Sequence, residues 1–438
     1  MNTAYSDYEK IIPSEKLPQF LFDFFDRFKE VAWVKNTEKE SFYQTLQLNV
    51  DRYSKNRFLV RFLDRIFSKL YSNKNPFLSF QRNKKNILFR PFKYYNIILG
   101  AKKYQKVGLI NHGNWDRFFA VKNFIGYIVT SDLDQYILSY LKENNIKYLY
   151  RLIEEVENKL RIAKPDYIVL WSDVLPIERA IVLASKKLGI ITLEIQHGID
   201  DSFWPIESGK FVDYLLVWGK YFADLYEKQN VRKSEDIYIL GYPYLIEKNK
   251  DTKKKDKNYI VYYLGTNLEF YNEEFFDVKM ETIKKINEIC NKLRIKFFYR
   301  PHPGENRELL KKNLKDIAFT DTREGLQEAF KTADIFISFQ STSLVEATMS
   351  SKVSLQLMNY PIKSDNFEAL GACSASFQTI EELEDYLKKI ASAKNLDKFK
   401  TKFNNNYIET RYNPIERFLE IIKDIERKNT ENQKLKFI

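Results

Sequence analysis

The segment DYIVLW (166–171), followed by the amphipathic stretch IERAIVLASKKLG (177–189) and then ITLEIQ (191–196), constrains the fold most. A near-continuous apolar run of six residues marks a strand buried on both faces. A helix-length stretch and a second apolar run after it predict a parallel strand–helix–strand unit. The pattern extends both ways. KVGLIN (106–111), FIGYIVT (124–130), YLLVWG (214–219) and IYILGYP (237–243) read as further strands. Residues 247–257 are polar, charged and almost free of apolar side chains, and read as a linker. The alternation then restarts with NYIVYYLG (258–265), IKFFYRP (295–301), DIAFT (316–320), DIFISF (334–339) and VSLQLM (353–358). Stretches 278–293, 323–331 and 343–350 read as helices between them.

The expected organisation is therefore a helical, aromatic-rich region over 1–95 and an α/β unit over 96–246. The linker over 247–257 leads to a second α/β unit over 258–404. A C-terminal helical region over 405–438 is expected to pack back on the first unit. In LPQFLFDFFDRFKEVAW (17–33), Phe20, Phe22, Phe24, Phe25 and Phe28 are spaced so that several share one helical face. That face reads as core- or interdomain-facing; the alternative is a membrane-surface helix rimmed by Lys and Arg.

Composition excludes several classes. With 44% apolar and 16% aromatic residues, the 438-residue chain can fill two cores, which excludes a mainly disordered protein. Cys290 and Cys373 form no CxxC pair, so neither a disulfide framework nor a zinc site is indicated, and a reducing cytosol is expected. The start MNTAYSDYEK lacks a signal-peptide pattern, and no run approaches the roughly 20 apolar residues of a spanning helix. The net charge of +12 suits phosphate-rich partners. Its lysines are scattered rather than blocked, which argues against nucleic acid.

Chemistry concentrates at strand ends. The three histidines, His112, His197 and His302, each follow a strand candidate directly. In such sheets ligands bind at the carboxyl ends of the strands, and clefts between two units are preferred sites. In LEIQHGIDDSFWP (193–205), Gly198 permits a sharp turn and His197 stands beside Gln196, Asp200 and Asp201. Transfer to an acceptor hydroxyl needs one base; His197 suits by its ordinary pKa, and Asp200 or Asp201 would serve if buried. In FFYRPHPGEN (297–306), Pro301 and Pro303 stiffen His302, Arg300 adds a cation and Gly304 allows close approach. This reads as a site for a leaving phosphate. In ISFQSTSLVEAT (337–348), Ser341, Thr342 or Ser343 would cap a helix whose N-terminus binds phosphate. Glu346 would reach a ribose hydroxyl; the plainer alternative is a capping box of Ser343 and Glu346. Gly265 and Thr266 in LGTN (264–267) are weaker phosphate candidates, and Asp173 in WSDVLPIER (171–179) would orient acceptor or base. His112, Asp116 and Arg117 in NHGNWDR (111–117) would bind acceptor with Gln196. No acidic metal pair follows a strand in the second unit, so neither a metal nor a separate cofactor is expected.

The order QHG (196–198), RPHPGE (300–305) and S-x-x-S-T-S-L-x-E-A (338–347) resembles the GT-B glycosyltransferases of bacterial capsule and lipopolysaccharide synthesis. That clan holds the bacterial sialyl-, polysialyl- and Kdo-transferases and the teichoic-acid polyol-phosphate polymerases. VWGKYFADLY and LGYP, within 217–243, are similar to the end of a GT-B N-terminal domain. The resemblance spans roughly 165–350. It implies an inverting, metal-independent transferase using a nucleotide-activated sugar, often a cytidine nucleotide; the expected location is the cytoplasm, with peripheral contact at the cytoplasmic face of the anionic inner membrane as the further option. The implied acceptor is a glycan or lipid-linked glycan. The His-Pro and Ser/Thr-rich motifs would hold the phosphate, and His197 or a nearby Asp would be the base. Bacterial sialyltransferases carry paired acids where Gln196 and His197 stand, which argues against a sialic-acid donor and leaves a Kdo, other nonulosonic, hexose or polyol-phosphate donor open. Rival readings are a polyol-phosphate transferase, a non-hydrolysing UDP-sugar 2-epimerase sharing the fold, and a non-enzymatic membrane-associated assembly protein.

Overall fold

A computed structural model describes residues 8, 10–27, 84–111, 114–128, 130, 132–244, 259–266, 274–302, 305–320 and 325–435. The linker 247–257, the helix expectation beyond residue 27, and His112, Pro303 and Gly304 lie outside them. The chain forms two compact units: Met1–His197, Ile206–Tyr244 and Glu409–Ile438 make the first, Gly198–Pro205 and Leu245–Ile408 the second.

The first unit is built on a seven-stranded, wholly parallel sheet. Its strands are β1 (Asn86–Arg90), β2 (Lys106–Ile110), β3 (Gly126–Ile128), β4 (Tyr167–Leu170), β5 (Ile191–Ile195), β6 (Tyr214–Val217) and β7 (Ile237–Ile239), in the order β3-β2-β1-β4-β5-β6-β7. Ile87, Phe89, Tyr167 and Val169 face one core and Leu88, Ile168 and Leu170 the other, as the two-residue period of a strand requires. The second core is completed by helices Lys147–Ala163 and Pro176–Leu188. The first is closed by helix Pro414–Leu435 through Phe418, Ile421, Ile422 and Ile425. Gly100 allows this close approach: a Cβ there would stand 2.6 Å from Ile415 Cδ1.

β1 corrects the helical reading of 1–95. NILFR is a central strand, pairing with both β2 and β4. The segment is short and flanked by Lys84, Lys85, Pro91 and Lys93, so no local period exposes it. The helix Leu17–Arg27 does form, and Leu17, Leu21 and Phe22 are buried in the unit's core. Phe22 stacks on Tyr140 and Phe20 meets Phe211 edge-on. For those side chains the core-facing reading holds; the side chains of Phe24 and Phe25 are outside the described set.

The second unit carries a five-stranded parallel sheet: β8 (Ile260–Leu264), β9 (Lys296–Arg300), β10 (Ile335–Ser338), β11 (Val353–Leu357) and β12 (Ala375–Phe377), ordered β12-β11-β10-β8-β9. DIAFT forms only one isolated bridge, Tyr299 to Phe319, and β12 had no apolar run to announce it. Among the described residues no helix is long and apolar enough to cross a membrane.

Candidate functional site

In the second unit β8 lies between β9 and β10, so the direction in which strands are added reverses between β8 and β10. At such a switch point the loops leave on opposite faces and open a crevice at the carboxyl edge. The loop after β8 carries Gly265 and Thr266, and the loop after β10 carries Gln340–Ser343. Ser338 Oγ donates to the Leu264 carbonyl at 2.9 Å, tying the two strand ends. Helix Thr342–Met349 starts here, capped by Ser341, whose hydroxyl accepts from the Ser343 N–H at 3.2 Å. The capping-box alternative fails because Ser343 is already inside the helix and Glu346 lies beyond its first turn. Ser341, Thr342, Ser343 and Glu346 are half-exposed, so hydroxyls and first-turn N–H groups remain reachable by an anion.

His302 follows β9 and is exposed. Arg300, the last residue of β9, accepts through its carbonyl from the Gly265 N–H at 2.8 Å. Gly265 and Thr266 are buried, so their part is to shape the edge rather than to present side chains. Beneath the loop sit groups the motifs did not single out. Lys279 Nζ and Glu305 Oε1 are 2.5 Å apart with both side chains buried, and Tyr299 Oη donates to the same carboxylate at 2.6 Å. Burial pushes the Glu305 carboxyl up, and Lys279 draws it back toward the charged form.

The loop Gly198–Pro205 belongs to this second unit. Asp201 accepts from the Phe203 N–H, Gln340 Nε2, Ser364 Oγ and the Asp365 N–H at 2.8–2.9 Å. A carboxylate so fully engaged anchors the loop rather than moving protons, whereas Asp200 is half-exposed.

At the carboxyl edge of the first sheet, most charge is spent internally. Arg90, ending β1, pairs with Glu178 at 2.8 Å and donates to the Asn111 carbonyl, both side chains being buried. Asp173 is fully buried and accepts from the Gly209 N–H at 3.0 Å and the Phe211 N–H at 2.5 Å. It holds a loop, which corrects its assignment to acceptor or base. Gln196 is likewise buried, its Oε1 accepting from the Trp218 N–H at 2.9 Å, so it fastens β6 instead of meeting an acceptor. Asp116 is buried on helix Asn114–Lys122, and of Arg117 only the backbone is described.

His197 differs. Its side chain is exposed, its ring lies 5.2 Å from that of Trp171, and Lys93 Nζ donates to its carbonyl at 3.1 Å. Surrounding protein and the Lys93 charge push the imidazole down to about 3, against a hydrogen bond to the Trp171 backbone that favours the charged form. Solvent at the ring weakens the first of these, but the direction is plain: the ring is neutral at pH 7. A neutral imidazole donating one N–H to a carbonyl keeps its other nitrogen as an acceptor. Among the described residues no group of three or more His, Cys, Asp or Glu side chains is placed to hold a metal.

No protein-family model matches the chain, and no curated protein matches it. Solved structures do. UDP-GlcNAc 2-epimerase from Neisseria meningitidis, bound to UDP-GlcNAc, is similar with a TM-score of 0.54 and 14% identity, covering 77% of this chain and 99% of that one. The S. aureus MnaA–UDP structure gives 0.53 and 15%, covering 78% and 97%. The Methanocaldococcus jannaschii UDP-GlcNAc 2-epimerase in complex with UDP-GlcNAc and UDP gives 0.51 and 16%, covering 78% and 99%. The fold is GT-B. At these identities the likeness speaks for the architecture alone, and within a GT-B frame the chemistry has to be argued from the two sheet edges.

Proposed function

We propose that this protein is an inverting, metal-independent glycosyltransferase that moves a sugar from a nucleotide-activated donor to a glycan or lipid-linked glycan of a bacterial surface polysaccharide. The observation that carries the reading is the switch point of the second sheet, where a Ser-capped helix start and the His302 loop flank β8. His302, the Ser341–Ser343 hydroxyls and the first-turn N–H groups would hold the donor phosphate, and Glu346 a ribose hydroxyl. The acceptor hydroxyl loses its proton to the free nitrogen of His197 as its oxygen bonds the sugar carbon. The bond from that carbon to the phosphate oxygen breaks, and the departing phosphate keeps the electron pair. Donors fixed where this charge grows lower the barrier without reorganising. The motif resemblance favours a CMP-activated donor such as CMP-Kdo or another nonulosonic acid.

A second reading is supported by the structural neighbours that are UDP-GlcNAc 2-epimerases: a UDP-sugar 2-epimerase using the same phosphate site. The test is a thermal-shift series with CMP, CDP, UDP, GDP and dTDP, followed by incubation with the matching nucleotide sugar with and without acceptor glycan. Stabilisation by one nucleotide and acceptor-dependent release of that nucleotide are expected. Acceptor-free conversion of UDP-GlcNAc to its C2 epimer would replace the transferase reading, and no stabilisation by any of the five would end it.

A further inference from the structure

We infer that the buried Lys279–Glu305 pair is a positioning device that locks the strand-end loops of β8 and β9 into one phosphate-binding surface; this rests on the phosphate-site reading above. Lys279 comes from helix Glu274–Lys292 and Glu305 from the turn after His302. Their side chains are 1% and 0% exposed. A buried ion pair is a poor source of stability, since desolvating both charges offsets their attraction and an apolar pair of similar volume does as well. What distinguishes this pair is where its remaining bonds go. Glu305 Oε2 accepts the backbone N–H of His302, and Lys279 Nζ donates to the Thr266 carbonyl at 3.1 Å. One carboxylate thus holds the loop after β9 and its partner ammonium holds the loop after β8.

Gly265 lies in the same knot. A Cβ there would stand 2.5 Å from Tyr299 Oη and 2.9 Å from the His302 nitrogen, so only glycine lets the two loops meet. The pair also solves an electrostatic problem. A lone carboxylate beneath a phosphate site would repel the ligand; Lys279 cancels it, and the edge keeps the anchoring bond without the repulsion. Glu305, Lys279 and Tyr299 act through His302 and are positioning residues.

The test uses the full chain and three variants: Glu305→Gln, Lys279→Met and the double variant. Affinity for CMP, CDP, UDP, GDP and dTDP is measured by titration calorimetry, with melting temperature and amide hydrogen exchange over 259–266 and 296–302. Glu305→Gln should weaken the nucleotide that the wild type binds by about tenfold or more, the scale of losing hydrogen bonds to a charged group. It should also speed exchange in both segments together. The double variant, with no uncompensated charge, should regain the wild-type melting temperature but not the affinity. A folded variant of either kind that binds like the wild type, or exchange unchanged in both segments, overturns the inference. If the wild type binds none of the five nucleotides, the function reading fails instead. Exchange alone then decides whether the pair couples the two loops: loosening of both upholds the coupling and loosening of one or neither sinks it.

Discussion

The carboxyl edges of the two sheets are built on opposite plans. In the first, Arg90, Asp173, Glu178 and Glu194 are all buried, and each is engaged by a neighbouring strand end or loop. His197 stands out from this closed edge. In the second, His302 and Ser341–Ser343 remain accessible, while Lys279 and Glu305, whose bonds hold the His302 N–H and the Thr266 carbonyl, are buried. The difference teaches that buried charge does two kinds of work here. On the first sheet it seals a core and leaves one neutral proton acceptor. On the second it ties the loops after β8 and β9 together next to the exposed His302. Under the transfer proposed above, His197 would supply the base and the second edge the donors for the leaving phosphate.

The comparison breaks most decisively at His197. His197→Ala should lower turnover by roughly 10²–10⁴-fold, the usual contribution of a general base, while leaving nucleotide affinity unchanged. Steady-state kinetics beside calorimetry would show it, and near-wild-type kcat would remove the base from the first edge. Next in size is Glu178→Ala, which strands the buried Arg90 guanidinium. A loss of about 3–5 kcal/mol in urea unfolding is expected, with no specific change in nucleotide binding by the folded protein. A loss below about 1 kcal/mol would mean the first edge is not sealed by charge as described.

A smaller effect separates cap from ligand. Ser341→Ala and Thr379→Ala each remove an N-cap that accepts a helix N–H, and each should cost about 1 kcal/mol of stability. Ser341→Ala alone should also weaken nucleotide binding, because only that helix begins at the switch point. Equal affinities in the two variants would make Ser341 a cap and nothing more.

The smallest effect is the pH dependence of His197. With its pKa held below the ordinary 6.5, it stays neutral in the folded chain over a range where the unfolded chain is protonated. Stability from this group is therefore complete above about pH 6.5 and declines as pH falls below it. Relative to His197→Gln, the wild type should lose roughly 1–3 °C of melting temperature between pH 7.5 and 5.5, since solvent at the ring keeps the effect modest. An identical pH response in both proteins would place the ring in ordinary solvent.

Much of this was legible along the chain. The apolar runs at β2, β4, β5, β6, β8, β10 and β11 were readable because a strand buried on both faces needs little besides its own residues to declare itself. His197 and His302 were placed after strands for the same reason. β1 was not readable, because NILFR between lysines and a proline becomes a central strand only through β2 and β4. The roles of Asp173 and Gln196 were not legible, because a polar residue at a strand end looks the same whether it faces a ligand or a neighbouring loop.

Local content is written along the chain: which segments extend, which coil, and which loops carry histidine, serine and glycine. These follow from side-chain period and backbone preference, which act over a few residues. Only the tertiary structure decided that β8 sits at a reversal of strand order and that Lys279 meets Glu305. It alone also decided that Arg90 meets Glu178 across 88 positions of chain. Such pairings depend on packing among distant segments, where burial removes water as the competing partner and selects which charges must meet.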